Sequence, residues 1–297
     1  MAAKYRGRFA PSPTGPLHFG SLVAAVASFC QARASKGEWL VRLEDIDPPR
    51  EIPGAADDIL RSLENFGLEW DAAVVYQSQR QELYQAALDD LEQQGKLYPC
   101  ACSRKEISKM SPSGLYPGTC RHGMPAGKDA RSLRLKVEPN LLELDDAIQG
   151  KLRYQMQADI GDFVLKRADG LFAYQLAVAI DDAEQEITEV VRGSDLLEST
   201  PRQIYLHEQL GYPSPDYAHH PVIVNSLGNK LSKQNLAPAL DNNATLGLLY
   251  QAVSVLGQNP PAQDEFEHHH DLLKWTCEHW NLAKIPQKSA IKTEDIT

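Results

Sequence analysis

The sequence lacks any apolar run near the roughly 18 residues that a membrane-spanning helix needs. Its start, Met1 to Gly15, has no apolar segment of the kind that makes a secretory signal. A cytoplasmic protein with no membrane role is the expectation. Cysteine is scarce: five in 297 residues are too few and too unevenly placed for a disulfide framework. Positive charge is also in deficit, with 30 Lys and Arg against 40 Asp and Glu for a formal charge of -10, which disfavours a protein whose whole surface attracts nucleic acid but leaves room for RNA on a local basic face. No internal repeat or low-complexity segment occurs. The 42% hydrophobic content excludes a wholly disordered chain, and the length suits one large domain with an insertion, or two smaller ones.

Two local concentrations stand against this background. Residues 1 to 50 hold seven Lys or Arg against four acids, a local basic face on an acidic chain. Three cysteines, Cys100, Cys102 and Cys120, fall within 21 residues, a clustering that suggests a metal; Cys30 and Cys277 read as small buried residues.

Periodicity and punctuation predict a strand over Gly7 to Ala10, a Pro/Gly turn, and a helix over Ser21 to Ser35. A strand at Trp39 to Leu43, a helix at Ala55 to Phe66, a strand at Ala73 to Tyr76 and a helix at Gln79 to Gln94 follow. Such alternation predicts an α/β fold with a parallel sheet. The pattern breaks from Leu97 to Asp159, an expected inserted subdomain with one strand at Ser132 to Val137. It resumes with a strand at Phe163 to Lys166, a helix at Tyr174 to Asp182, a strand at Thr188 to Val191, a helix at Pro201 to Leu210 and a strand at Val222 to Asn225. Helices are expected beyond Gln234, and a mobile tail from Pro286. The expected division is therefore 1–96 and 160–235 as two halves of a Rossmann-like domain, 97–159 as the insertion, and 236–297 as a short helical C-terminal region.

The chemistry is expected at two places. The first turn sets His18 and Gly20 just before a helix N-terminus, where free N–H groups and the helix dipole attract anions and an imidazole can donate to a phosphoryl oxygen. That suits a nucleotide site, but taken alone an ordinary tight turn with a surface histidine is the commoner case. The second is Lys230-Leu231-Ser232-Lys233-Gln234, whose two lysines can reach a polyphosphate from a loop or can simply be solvated.

Together these segments resemble the two signatures of the class I aminoacyl-tRNA synthetases, His-Ile-Gly-His and Lys-Met-Ser-Lys-Ser, here His18-Phe19-Gly20-Ser21 and Lys230 to Gln234. The phrases Arg8 to Gly15, Val41 to Asp47, Tyr174 to Asp181 and Val191 to Pro201 are similar to the glutamyl branch, and the resemblance covers roughly residues 5 to 235. It implies a Rossmann-like catalytic domain that binds ATP through His18, Gly20, Ser21, Lys230, Ser232 and Lys233, with His18 and Lys233 catalytic and Mg2+ accompanying ATP. It also implies an L-glutamate pocket in which Arg8 and Ser12 contact the amino acid, Glu44 pairs with its ammonium group, and Tyr174 and Arg192 complete the carboxylate side. Ser21 stands where the signature has its second histidine, and Gln234 where it has its last serine.

Resemblance to zinc-bearing glutamyl-type synthetases implies one structural Zn2+ on Cys100, Cys102, Tyr116 and Cys120. His122 is the chemically easier alternative to Tyr116 as fourth ligand. Only 64 residues follow Lys233, fewer than the helical anticodon-binding region of a full glutamyl-tRNA synthetase. The architecture accordingly resembles the glutamyl-queuosine tRNA(Asp) synthetase family, which implies a monomer that makes glutamyl-adenylate and transfers glutamate to queuosine in the anticodon of tRNA(Asp). A minimal enzyme charging the tRNA 3' end, a nucleotidyltransferase acting on a small metabolite, and a noncatalytic RNA-binding paralogue are the alternatives.

Overall fold

The computed structural model describes residues 4–231 and 238–296. β1 (Arg6–Phe9), α1 (Phe19–Ala34), β2 (Glu38–Leu43), α2 (Ala55–Asn65) and β3 (Val75–Tyr76) follow one another, and the three strands form a parallel sheet. After α3 (Gln81–Gln93) the chain makes an antiparallel sheet from β4 (Leu97–Cys100), β5 (Ser132–Leu135) and β8 (Phe163–Lys166). Within this stretch lie α4 (Arg104–Met110) and a hairpin of β6 (Leu141–Asp146) and β7 (Gly150–Gln155). Parallel alternation returns with α5 (Tyr174–Glu184), β9 (Glu189–Gly193), α6 (Thr200–Leu210), β10 (Asp216–His220) and β11 (Val222–Val224). α7 (Thr245–Val255), α8 (His269–His279) and β12 (Ala290–Lys292) complete the chain.

β9 pairs in parallel with β10 and flanks β1 on the side opposite β2, tied there by the Thr188 amide to the Arg6 carbonyl at 2.9 Å. β1 therefore stands between β2, which follows it, and β9, which comes much later. Chain order reverses at that point, and in open α/β sheets the crevice at the carboxyl ends of such strands is where ligands bind. α1 crosses under this crevice. It is apolar nearly all round, because one side meets β1, β2 and β9 while the other meets α7 and α8. Ser28 is its one buried hydroxyl; it donates to the Ala24 carbonyl and accepts from Trp39 Nε1 at 3.0 Å.

Three differences from the sequence reading have physical causes. Phe163–Lys166 pairs antiparallel with β5 instead of joining the parallel sheet. β10 was not expected, since its sequence Asp216–His220 is flanked by prolines and holds two histidines in place of β-branched residues. The stretch expected to be a mobile tail contains β12, which pairs in parallel with β11, and the Ser289 carbonyl accepts from Ser194 Oγ at 2.5 Å. Cys30 and Cys277 bring their sulfurs to 3.7 Å between α1 and α8. No helix among the described residues is long and apolar enough to cross a membrane.

Candidate active site and metal cluster

A cavity of about 300 Å³ opens at the carboxyl ends of β1 and β9, and its walls include Arg8, Ser12, His18, Gly20, Ser21, Glu44, Tyr174, Arg192 and Lys230. All the expected ATP and glutamate residues thus meet in one place, except Ser232 and Lys233, which lie outside the described residues.

His18 is the N-cap of α1: its Nδ1 accepts from the Ser21 amide at 3.2 Å. An acceptor Nδ1 in a neutral ring makes Nε2 the protonated nitrogen, a donor beside the positive end of a 16-residue helix. Gly20 permits this placement, because a Cβ there would stand 3.2 Å from His18 Cε1, inside ordinary carbon–carbon contact. Lys230 follows the Asn225–Asn229 turn and bridges back to Val224, and its Nζ meets Asp195 Oδ2 at 2.5 Å. His220, also on the wall, donates through Nδ1 to the Pro221 carbonyl, while its buried Nε2 has no partner among the described residues. Burial pushes its pKa down to about 4.

The opposite wall is a buried charge network. Arg8 grips Asp182 with Nε at 3.1 Å and Nη2 at 3.3 Å, and Arg42 reaches the same carboxylate at 2.8 Å. Burial opposes the Asp182 charge, but the two guanidiniums outweigh it and hold the carboxyl at about 2. Glu44 has the opposite balance. Burial dominates over Arg42 at 3.7 Å and over Arg8, and pushes its carboxyl up to about 7. Tyr174, the first residue of α5, is pushed up by burial and by the nearby Glu44 charge. Arg192 donates from Nε to His219 Nε2 at 3.0 Å and from Nη2 to Thr200 Oγ1 at 2.8 Å.

Sequence reading missed Arg42, Asp182, His219 and Asp195. The available signal was Arg42 in the middle of the apolar strand Glu38–Leu43, since a charge at a core position needs a buried partner.

The three clustered cysteines converge, their sulfurs lying within 4.8 Å of one another. Cys102 and Cys120 stand 3.7 Å apart, and the Tyr116 hydroxyl is 3.3 Å from Cys100 Sγ and 3.7 Å from Cys102 Sγ. Tetrahedral zinc with bonds of about 2.3 Å to sulfur and 2.0 Å to oxygen requires edges of about 3.8 Å between sulfurs and 3.5 Å from oxygen to sulfur. These three distances are close to such edges, and the cysteine cluster is compatible with a bound metal ion. His122 is exposed and stands outside the group.

A second cleft of about 550 Å³ shares the Tyr174 wall and is lined by Arg104, Arg131, Arg134 and Arg167. Arg134 stacks on the Tyr116 ring and Arg167 pairs with Asp47 and Asp169. Arg104 and Arg131 are exposed, with no side-chain partner among the described residues.

The sequence model for tRNA synthetases class I (E and Q), catalytic domain, matches residues 4–279. A glutamyl-Q tRNA(Asp) synthetase of Dechloromonas aromatica is 55% identical over 98% of this chain and 99% of its own length. One of Chromobacterium violaceum is 53% identical over 96% of each. Among solved structures, a glutamate tRNA ligase of Elizabethkingia meningosepticum aligns with a TM-score of 0.80 at 24% identity, covering 98% of this chain and 67% of the ligase, a likeness of fold.

Proposed function

The chain belongs to the glutamyl-Q tRNA(Asp) synthetases of the class I glutamyl and glutaminyl family, and from that premise we propose how its residues divide the work. It is an ATP-dependent ligase that activates glutamate and passes it to queuosine of tRNA(Asp). In the first step the glutamate α-carboxylate attacks the α-phosphorus of ATP, the bond to the β-phosphate breaks, and glutamyl-adenylate and pyrophosphate form. His18 donates from Nε2 to the phosphoryl oxygens, and the Gly20–Ser21 end of α1 approaches them through its backbone. Lys230 exchanges Asp195 for phosphate, and Ser232 and Lys233, two and three positions later in the sequence, join it. Mg2+ accompanies ATP and neutralises phosphate charge when bound. Arg8, Ser12, Tyr174 and Arg192 hold glutamate, with Glu44 against its ammonium group.

In the second step a hydroxyl of queuosine attacks the activated carbonyl, and AMP leaves. The anticodon loop crosses the second cleft, with Arg104 and Arg131 against its phosphates and Tyr174 joining that cleft to the adenylate. Local positive surface of this kind lets an acidic chain bind RNA, with an affinity that falls as salt rises. The protein works in this way as a cytoplasmic monomer. The observation that carries the reading is a single cavity shared by His18, Lys230, Arg8, Glu44 and Arg192, beside a cleft whose Arg104 and Arg131 have no side-chain partner among the described residues.

The deciding experiment supplies labelled glutamate, ATP and Mg2+ with tRNA(Asp) bearing queuosine or guanosine at the wobble position, then maps the label by nuclease digestion. Label in the queuosine-containing anticodon fragment alone is expected. Label at the 3' end would make the chain a minimal charging enzyme.

Glutamate binding is expected to weaken in acid. The Glu44 carboxyl sits at about 7 in the empty cavity, so below that pH the ammonium group must first ionise it. The KM for glutamate should therefore fall about tenfold per pH unit well below 7 and level off above 8. Glu44→Gln should raise KM and flatten the profile between pH 5.5 and 8.5.

Cys100, Cys102, Tyr116 and Cys120 would hold one structural zinc ion, which cross-links the start of the insertion to residue 120 and takes no part in the reaction. Metal analysis is expected to find one zinc per chain. Cys100→Ser with Cys102→Ser should lose it, and limited proteolysis should then cut between residues 97 and 135.

A further inference from the structure

Arg192 is held by a buried relay that begins in the inserted hairpin. Asp146, the last residue of β6, accepts through Oδ1 from the amides of Ile148 at 3.0 Å, Gln149 at 2.8 Å and His219 at 3.1 Å. Its Oδ2 lies 2.5 Å from His219 Nδ1. His219 and Arg192 are register partners on β10 and β9, and Arg192 Nε lies 3.0 Å from His219 Nε2. Asp146, His219 and Arg192 are 2%, 0% and 5% exposed.

The chemistry of this chain has one consistent reading. A carboxylate cannot donate, so His219 Nδ1 carries the proton; Arg192 Nε can only donate, so His219 Nε2 carries none. Burial pushes the His219 pKa down, and the Arg192 charge acts in the same direction against the pull of Asp146. With Nε on His219 and Nη2 on Thr200, the plane of the Arg192 guanidinium is set. Only Nη1 is left, buried and without a partner among the described residues, on a side chain that lines the cavity.

We propose that Asp146 and His219 are positioning residues: Asp146 selects the His219 tautomer that accepts from Arg192, and so aims Nη1 at the carboxylate of glutamate. The inference rests on the reading of Arg192 as a glutamate contact. Neither Asp146 nor His219 touches substrate. Asp146 acts from a hairpin 46 residues before Arg192 in the chain, so the insertion shapes the amino acid pocket through it.

Asp146→Asn is the sharp test. The three backbone amides keep the amide oxygen of the new side chain, which turns its NH2 toward His219 Nδ1. That nitrogen must then accept and the proton moves to Nε2, which can give it only to Thr200 Oγ1 at 3.1 Å, so Arg192 Nε loses its acceptor and two donors stand 3.0 Å apart. The KM for glutamate in pyrophosphate exchange should rise about tenfold to a hundredfold, the effect of losing a charge-assisted hydrogen bond. The kcat should change less than about threefold and the KM for ATP should hold. A glutamine at 219 presents an acceptor oxygen near the position of Nε2 without a tautomer to select. Adding His219→Gln to Asp146→Asn should therefore recover most of the lost affinity, a rescue that a purely structural role does not predict.

Arg192→Lys is measured alongside. A raised KM in Arg192→Lys with an unchanged KM in Asp146→Asn overturns the inference alone, whereas an unchanged KM in Arg192→Lys overturns the glutamate reading of Arg192 and the inference with it. If Asp146→Asn does not fold, His219→Gln and His219→Leu decide: Gln should stay near wild type and Leu should raise KM, and equal values overturn the proposal.

Discussion

Replacing His18 with alanine is expected to slow glutamate-dependent pyrophosphate exchange about 10²- to 10³-fold, the usual cost of removing one donor aimed at developing charge. The expectation comes from the tautomer. His18 Nδ1 is committed to the Ser21 amide, so the neutral ring offers Nε2–H without a change of protonation, and the backbone of α1 holds it in place. The loss should fall on kcat, because the phosphorane-like charge exists only in the transition state.

His18 also caps a helix, so the alanine variant loses stability of about 1 kcal/mol as well as activity. His18→Asn separates the two effects. Asparagine is as good an N-cap as any residue and can accept from the Ser21 amide, but its short side chain cannot place a donor where Nε2 stands. The asparagine variant should melt within a degree or two of wild type and still show the full loss of exchange. Normal exchange in a stably folded His18→Asn protein would remove His18 from the chemistry.

The parts legible in the sequence were those fixed by local signals. A short apolar strand, a Pro/Gly turn and a run of small apolar residues predict β1, the turn and α1 with errors of one or two residues, and His18 is the residue that the turn delivers to the helix end. The cysteine cluster was legible for a similar reason, as its three cysteines lie within 21 residues of one another. What escaped depends on pairing across long separations. Asp182 is the last residue of the expected helix, with no local signal of a partner, and only the meeting of β1, β2 and α5 makes it the acceptor of two arginines. Asp146 follows Leu142 and Leu144 at period two, an alternation that marks it as facing inward, yet nothing nearby reveals that His219 waits there. β12 has three residues, too few for periodicity, and exists because β11 offers a free edge.

Asp182→Ala should be the most damaging single change to stability. Arg8 and Arg42 are 4% and 0% exposed, and a buried guanidinium whose acceptor is removed keeps its desolvation cost and loses the compensating attraction. Asp181 offers only a longer contact, its Oδ2 lying 3.8 Å from Arg42 Nε while it accepts from Gln77, Arg80 and Tyr84 at 2.6 to 2.8 Å, and Gln185 Oε1, 2.7 Å from Arg42 Nη1, carries no charge. Glu44 is a poor substitute too, since burial keeps its carboxyl near 7 and only partly ionised at neutral pH. A loss of about 3 to 5 kcal/mol is expected at pH 7, read as a fall in Tm of order ten degrees. The sign with pH follows from the folded carboxyl sitting at about 2, below the roughly 3.9 of a free aspartate. Its contribution is complete above about pH 5 and fades as pH falls through 4 toward 2, because the unfolded chain takes up the proton first. Wild type and Asp182→Ala should therefore converge in thermal melts as the pH is lowered through that window. At permissive temperature the variant should also bind glutamate less tightly, since the same carboxylate holds Arg8 in the cavity wall. A difference under 1 kcal/mol at pH 7 would show that the two arginines find other acceptors, and that the site does not depend on Asp182 for its shape.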